Sequence, residues 1–455
     1  MFLTEDTIIS LATAPGLGAV AILRLSGPKT QEIGSKLISK WPKPRQAALR
    51  EICSLQSERL DEALVLWFPG PKSFTGEDTL EIHTHGGSLI PGRVLRAFLE
   101  AGARMAEPGE FSRRAFLNGR LGLDQAEALN DLIHAENEGF ANQALHQMQG
   151  GLKRKIEGLR EQLLDLSALL EANLDFPEDD IPGLERNTLL RDISKIEDSL
   201  SQLAESYERG RILRKGLSVA LTGRPNVGKS SLLNAFLKED RAIVTSEAGT
   251  TRDVLEESFR FKGNRYRFLD TAGLRDTPSL AEAEGINRAK AASSEAEIRL
   301  IVTVSGEPIE NSFELFQPLD PKRDFLIRNK SDLVSSEKDT LDDTFQGIPV
   351  YWVSAIHADG LDQLLSGLHQ KTQSLLGESR ASCEDLIVTN VRHRDALKRG
   401  SEALKRFVKA LRDEIPYDVS LVELYSATDA LGTIIGAVGV EDILDRVFEK
   451  FCIGK

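Results

Sequence analysis

Leu217-Ser218-Val219-Ala220-Leu221 runs into Gly223-Arg224-Pro225-Asn226-Val227-Gly228-Lys229-Ser230-Ser231, and this stretch decides the fold. A short apolar run reads as a buried strand. The loop after it has the pattern G-x-x-x-x-G-K-S, and a helix is expected from about Ser231. That strand–loop–helix context gives the motif its meaning. Glycines let the backbone wrap phosphates, and the loop amides and helix N-terminus supply positive partial charge. Asn226, Val227, Gly228, Lys229, Ser230 and Ser231 are therefore expected along a nucleotide. Lys229 should reach the β- and γ-phosphates, and Ser230 should ligate Mg²⁺.

Working outward, Asn329-Lys330-Ser331-Asp332 follows the apolar strand Phe325-Leu326-Ile327. A carboxylate at Asp332 can accept from the guanine ring N–H and exocyclic amine together, a donor pair that adenine lacks. Ser354-Ala355 follows Tyr351-Trp352-Val353, where a backbone amide can support the base oxygen. Asp270-Thr271-Ala272-Gly273 follows Tyr266-Arg267-Phe268-Leu269. There Asp270 is the expected indirect holder of Mg²⁺, and the Gly273 amide can meet the γ-phosphate. Gly249-Thr250-Thr251-Arg252-Asp253 lies where a first switch belongs, with a threonine that closes over Mg²⁺ only when a γ-phosphate is present. A structural turn explains any one of these motifs. All four in this order leave that explanation little room.

One position departs from the usual pattern. Leu274 stands where Ras-like proteins carry the glutamine that orients the attacking water. No arginine finger is evident either. Asn226 could direct its carbonyl oxygen at a monovalent cation near the β–γ bridge, with backbone carbonyls of the 245–250 loop completing the cage. Such a cation would do an arginine's electrostatic work. Glu282 or Glu284 could orient the water.

The 455 residues suggest about three domains at roughly 150 residues each. With 41% hydrophobic and 28% charged residues, the chain reads as globular. No apolar run reaches the length of a membrane span, and the acidic Met1–Asp6 start lacks a signal peptide's basic region. Cys53, Cys383 and Cys452 are few and far apart, as expected in a reducing cytoplasm. A net charge of −13 argues against bulk coating of nucleic acid. It leaves room for a local basic run at Arg392, Arg394, Lys398, Arg399, Lys405, Arg406, Lys409 and Arg412, whose simplest reading is a solvated helix face.

The expected fold is an α/β P-loop Ras-like G domain (216–378) inserted into a discontinuous all-α helical domain (120–215 and 379–455). A small α+β N-terminal domain (1–119) precedes it. In that first domain, 19–23 and 63–67 read as strands, and 31–40 and 89–101 as helices. Leu152, Ile156, Leu159, Leu163, Leu166 and Leu170 form a seam on one helix face, which Asp175-Phe176-Pro177 ends. A further helical stretch is expected over 184–214, and helix again from Val391 to the end.

The P-loop, Gly249–Asp253 and Asp270-Thr271-Ala272-Gly273-Leu274-Arg275 resemble the TrmE-Era-EngA branch of GTPases. Stretches outside the G domain narrow the resemblance. They are Ala14-Pro15-Gly16, Ile22-Leu23-Arg24-Leu25-Ser26-Gly27, Ser73-Phe74-Thr75-Gly76-Glu77-Asp78, Pro108-Gly109-Glu110-Phe111-Ser112 and Phe451-Cys452-Ile453-Gly454-Lys455. Together they resemble the MnmE (TrmE) family of bacterial tRNA modification GTPases over the whole chain. That resemblance implies a cytoplasmic homodimer joined through N-terminal domains that bind a tetrahydrofolate derivative (5-formyl or 5,10-methylene). It implies work with a flavin-dependent partner, MnmG, in a heterotetramer. Together they would add an aminomethyl or carboxymethylaminomethyl group at C5 of the wobble uridine of certain tRNAs, with K⁺-dependent GTP hydrolysis. Arg24, Glu81, Arg120 and Lys455 match the folate contacts, Arg120 standing where the family commonly has lysine. Asn226, Thr245, Glu247 and Thr250 match the K⁺ loop, and Thr251 the switch Mg²⁺ ligand. Thr245-Ser246-Glu247-Ala248-Gly249-Thr250-Thr251 then lies along GTP as a whole. Glu282 matches the water-positioning glutamate, with Glu284 still open.

Cys452 has two readings, a nucleophile toward the uridine ring or a packing thiol; its small apolar neighbours favour positioning or packing. His83 and His85 read as strand or loop residues that could line the folate pocket, and His134 has no metal-ligand spacing. Two other classes compete. A ribosome-assembling switch would carry a basic RNA-binding module, which the sequence does not display. A folate-dependent one-carbon transferase with an incidental G domain would act without nucleotide.

Overall fold

The computed structural model describes residues 6–175, 185–239, 257–269, 293–308, 318–334, 344–376, 386–438, 444, 447–449, 451 and 454. They divide into two compact units. Residues 1–134, 143–205 and 391–455 form the first, and residues 135–142 and 206–390 form the second. The expected fold class is the one observed.

Alternation builds the first sheet. Strands β1 (Ile8–Leu11), β2 (Val20–Ser26), β3 (Ala48–Cys53), β4 (Arg59–Phe68), β5 (Thr79–His85) and β6 (Arg104–Met105) lie in the order β3-β4-β5-β2-β1-β6. All pairings are antiparallel except β1–β6. Ala21, Leu23 and Leu25 of β2 and Leu80 and Ile82 of β5 are buried, whereas Arg24, Glu81 and His83 alternate onto the other face and are half-buried. Helices α1 (Thr30–Leu37) and α2 (Ile90–Glu100) close the apolar face with Ile33, Leu37, Val94 and Phe98. The helix expected over 31–40 stops early. Ile38 turns extended and bridges Ile52, so a β-branched residue joins the sheet instead of the last turn.

Helices α3 (Glu110–Leu117), α4 (Leu123–Ile133), α5 (Glu138–Met148), α6 (Gly151–Asp175) and α7 (Arg186–Glu205) follow in chain order. The α6 seam is buried at Leu152, Ile156, Leu159, Leu163 and Leu170. It departs from expectation at Leu166, which is half-buried, while Ser167 takes the inward place. An α-helix drifts against a strict seven-residue repeat, so the buried stripe moves on by one residue. The Ser167 hydroxyl is satisfied by donating to the Leu163 carbonyl at 2.9 Å. The stretch expected over 184–214 is two helices, α7 and α8 (Tyr207–Lys215), separated at Ser206.

In the second unit, β7 (Leu217–Thr222), β8 (Ser258–Phe261), β9 (Asn264–Phe268), β10 (Ile298–Val304), β11 (Asp324–Asn329), β12 (Thr344–Phe345) and β13 (Ile348–Val353) form one sheet. Their order is β12-β13-β11-β10-β7-β9-β8. The five inner strands are parallel, and the edges β8 and β12 are antiparallel. Runs such as Leu217–Thr222 and Asp324–Asn329 are buried at every position, as a parallel sheet covered on both faces requires. Helices α9 (Lys229–Glu239) and α10 (Leu361–Leu376) contribute Phe236, Leu364 and Leu368 to this core.

Helices α11 (Val391–Arg412) and α12 (Tyr417–Ile435) return to the first unit. There α11 packs on α7 and α12, and α12 on α6. Glu127 of α4 is buried and accepts from Arg392 Nη2 at 2.7 Å, with His393 Nε2 also 2.7 Å away. Burial opposes its charge, but His393 and Arg392 override that and hold the carboxyl down at about 2. Arg392 also donates to the Thr433 and Ile434 carbonyls, so this member of the basic run is a structural cross-link.

Asp124, one turn earlier on α4, is fully buried, and among the described residues neither oxygen has a well-formed hydrogen bond. Burial first and the Glu127 charge second push it up to about 6, from an ordinary 3.8. A carboxyl raised in the folded state binds its proton more tightly there than in the unfolded chain, so stability falls as pH rises from about 3.8 to 6 and stays lower above. Asp124→Asn should therefore stabilise the protein at pH 7.5 by about 1–3 kcal/mol. Urea unfolding at pH 7.5 and pH 4 checks this, with the gain expected to shrink at the lower pH.

Candidate functional site

The central strand β7 ends in a loop that only particular residues can form. Gly223 has φ +147°, and a Cβ there would lie 2.3 Å from the Val302 carbonyl oxygen. Gly228 has φ +97°, and a Cβ there would lie 2.2 Å from Asn329 Nδ2. Asn226 between them is left-handed at φ 63°, a conformation asparagine tolerates better than most residues. Helix α9 then starts at Lys229, which aims its N-terminal amides and dipole at the loop. Ser230 and Ser231 stand exposed in its first turn. The Lys229 ammonium donates to the Gly223 carbonyl at 3.0 Å and the Arg224 carbonyl at 2.8 Å. Burial lowers its pKa, because neutral carbonyls replace water incompletely. An anionic phosphate in the loop would give that charge a full partner.

The end of β11 completes the site. Asn329 is buried; its Nδ2 donates to the Val227 carbonyl at 2.8 Å, and its Oδ1 accepts from the Ala355 amide at 3.2 Å. Lys330, left-handed at φ 59°, donates from Nζ to the Asn226 carbonyl at 3.0 Å. Its stem therefore spans from this motif to the P-loop. Asp332 is solvent-facing and accepts from the buried Ser354 hydroxyl at 2.6 Å. That hydrogen bond holds the carboxyl below its ordinary range, so it is an anionic acceptor at neutral pH. Sequence reading assigned Ser354-Ala355 only a backbone amide toward the base. In this arrangement the Ala355 amide serves Asn329, the Ser354 amide serves the Asp359 carbonyl, and the Ser354 side chain fixes Asp332.

Thr245, Ser246, Glu247, Ala248, Gly249, Thr250 and Thr251 lie outside the described residues, as do Asp270, Thr271, Ala272, Gly273, Leu274, Glu282 and Glu284. The same holds for Cys383, Cys452 and Lys455. Cys53 is a free, half-buried thiol.

A second polar site sits on the far face of the first sheet. Register places Arg24 opposite Glu81, and the guanidinium donates from Nε and Nη2 to Glu81 Oε1 at 3.1 and 2.9 Å. The Arg24 guanidinium lies 5.3 Å from the Phe74 ring centre and 5.8 Å from that of Phe111. His83 Nε2 is 3.5 Å from Glu81 Oε2, so this histidine does belong to the cluster. His85 instead pairs with Asp61, and His134 caps α4 through the Asn130 carbonyl. Arg120 donates to the Ser73 carbonyl at 3.2 Å and so anchors the loop that carries Phe74. Phe74 and Phe111 were not expected as site residues. Aromatic positions in two quoted motifs were the available signal, but only the fold brings them to one guanidinium. Gly454 (φ +99°) is packed so that a Cβ would lie 2.1 Å from the Leu11 carbonyl oxygen. Leu11 pairs with Leu23, so the C-terminal segment reaches the strand pair next to Arg24.

A glycine-shaped phosphate loop and a fixed carboxylate facing the base position, on a parallel sheet, define a P-loop GTPase. Residues 123–452 match the family described as MnmE helical domain, and residues 7–120 the one described as GTP-binding protein TrmE N-terminus. Among relatives named tRNA modification GTPase MnmE, that of Aquifex aeolicus is 39% identical over 99% of this chain and 100% of its own. That of Moorella thermoacetica is 42% identical over 99% and 100%, and that of Alkaliphilus metalliredigens 40% identical over 100% of both. A solved G domain of the T. maritima FeoB iron transporter is 25% identical with a TM-score of 0.23, covering 35% of this chain and 98% of that one. The chain belongs to the MnmE family and is a GTP hydrolase.

Two substitutions probe this geometry. Asn329→Ala leaves the Val227 carbonyl and the Ala355 amide without their buried partner. It should destabilise the protein by about 1–3 kcal/mol in urea unfolding and weaken binding of a fluorescent GTP analogue at least about tenfold. Asp332→Asn replaces one acceptor oxygen with a donor. GTP affinity should fall about 100-fold or more, while xanthosine triphosphate, whose ring carbonyl faces that donor, should gain affinity. Equal loss of both nucleotides would contradict a base-reading role for Asp332.

Proposed function

We propose that this chain uses GTP hydrolysis to drive addition of a carboxymethylaminomethyl or aminomethyl group at C5 of the wobble uridine of certain tRNAs. The observation that carries the reading is the presence, on one chain, of a guanine-type P-loop site and the Arg24–Glu81 cluster. The relatives' shared name, tRNA modification GTPase, supplies the substrate class.

In this reading Lys229 holds the β- and γ-phosphates and leaves its own loop carbonyls to do so. Ser230 and Thr251 would hold Mg²⁺, which when bound would neutralise charge on the phosphates. Asp270 supports that ion indirectly, and Thr271, Ala272 and Gly273 line the γ-phosphate. Asn226, Thr245, Glu247 and Thr250 hold K⁺. The left-handed turn at Asn226, inside the loop that would wrap the phosphates, suits this role. Glu282 orients the attacking water in place of the glutamine that Leu274 replaces.

Arg24, Glu81, Arg120 and Lys455 bind the tetrahydrofolate derivative, which supplies the one-carbon unit. The described side chains fit such a group. Glu81 offers a carboxylate able to accept paired N–H donors, Phe74 and Phe111 offer flat apolar faces, and Arg24 offers a cation to an acidic tail. Cys452 positions or packs the C-terminal segment near this site. A homodimer in the cytoplasm, working with the flavin-dependent partner MnmG as a heterotetramer, completes the reading.

GTP turnover by the purified protein, with Mg²⁺ and at matched ionic strength, should be at least about tenfold faster in K⁺ than in Na⁺, and Asn226→Ala should abolish the difference. Equal rates in both salts would remove the cation from the mechanism. Unchanged wobble-uridine modification in a strain lacking this chain, read by mass spectrometry of tRNA nucleosides, would overturn the proposed substrate.

A further inference from the structure

Helix α11 is out of character with its chain. The protein carries a net −13, yet Val391–Arg412 holds eight Lys and Arg residues against Asp395 and Glu402. The structure sorts these cations. Arg392 is held by Glu127, Arg394 by Asp395, and Arg406 by Glu423. Lys405 meets Glu197 at 3.3 Å, a carboxylate that the Ser201 and Ser401 hydroxyls also hold in place. Lys398, Arg399, Lys409 and Arg412 are exposed, and none meets a carboxylate at ion-pair distance among the described residues.

Spacing puts most of them on one side. Lys398, Lys405, Lys409 and Arg412 recur at intervals of seven, four and three, so they share a helix face about 21 Å long at 1.5 Å per residue. That face borders a groove of about 380 Å³ between α7 and α11, lined by Ser194, Glu197, Lys405, Val408, Lys409 and Arg412, with Asp413 at its end. Lys409 and Arg412 also complement the C-terminal dipole of α11. That role does not extend to Lys398 and Arg399, more than two turns upstream. The acids near the face are Asp395, Glu402, Glu197 and Asp413; Asp395 is engaged by Arg394 and Glu197 by Lys405, which leaves Glu402 and Asp413 near Lys398, Arg399, Lys409 and Arg412.

We propose that this face of α11 is a docking surface for the phosphate backbone of the RNA substrate. A row of cations, three of them without an ion-pair partner among the described residues, on an otherwise acidic chain can track a charged strand by releasing its counterions, and it needs no base contacts. This surface rests on the tRNA reading above and adds to it where the chain grips the RNA. Because none of these residues lies in either site already described, GTP turnover should not depend on them.

The test uses full-length protein and unmodified tRNA transcript, with binding measured by fluorescence anisotropy across a series of KCl concentrations. Lys398→Gln/Lys409→Gln/Arg412→Gln should weaken binding about tenfold or more at low salt and reduce the slope of log affinity against log salt by about two to three. The control Lys36→Gln/Lys155→Gln/Lys322→Gln removes equal charge from exposed positions elsewhere and should leave both unchanged. Intact GTP turnover in the α11 variant shows that it has folded. Wild-type binding that survives the α11 substitutions with its slope intact would overturn this surface and leave the tRNA reading standing. Wild-type protein that binds no tRNA would overturn both.

Discussion

The nucleotide site depends on one buried amide. Asn329 ties the carbonyl of Val227 in the P-loop to the amide of Ala355, so phosphate loop and base loop are set by the same side chain. Gly228 is glycine because Asn329 Nδ2 occupies the space a Cβ would need. Lys330 follows in a left-handed turn and reaches the carbonyl of Asn226, making a second strut between the same two loops. Ser354 then fixes Asp332. Recognition of base and phosphate is thereby pre-organised as one piece, and the distance between them is a property of β11 and β7 within a single parallel sheet.

The P-loop was legible because its glycines answer a local steric demand that any such loop makes. The inner strands β7 and β11 were legible as apolar runs, since a parallel sheet buries both faces. Central β10 was not singled out, because Ile298–Val304 carries no motif to announce its place between β7 and β11. Leu166 and Ser167 exchanged roles because periodicity read as a heptad ignores the slow drift of a true helix. The serine at 354 was read for its backbone alone; its hydroxyl's role appears only when Asp332 stands beside it.

Contacts of great sequence separation were the least legible. Glu127 and Arg392 are 265 positions apart, and nothing local marks either as half of a buried ion pair. Composition instead grouped Arg392 with its basic neighbours, and only the geometry separates the cross-link from the uncompensated cations. The Arg24 cluster behaves the same way. Strand register sets Arg24 on Glu81, but the aromatic rings arrive from two separate segments, one of which Arg120 anchors at Ser73. One turn from Glu127, Asp124 keeps a buried carboxyl, a local conflict of the kind that folding tolerates only when the surrounding packing is strong.

The contact of Gly454 with Leu11 has a consequence for the order of assembly. In chain order β1 and β2 precede the second unit, and Gly454, which packs on the Leu11 carbonyl, follows it. The second unit lies between them in sequence and can close its own sheet while the first unit still waits for α11, α12 and the segment at Gly454. A nascent chain would thus acquire its nucleotide pocket before the Arg24 face is complete. Until Gly454 has been made, the β1–β2 pair beside Arg24 lacks that contact, and closure over so long a separation is slow.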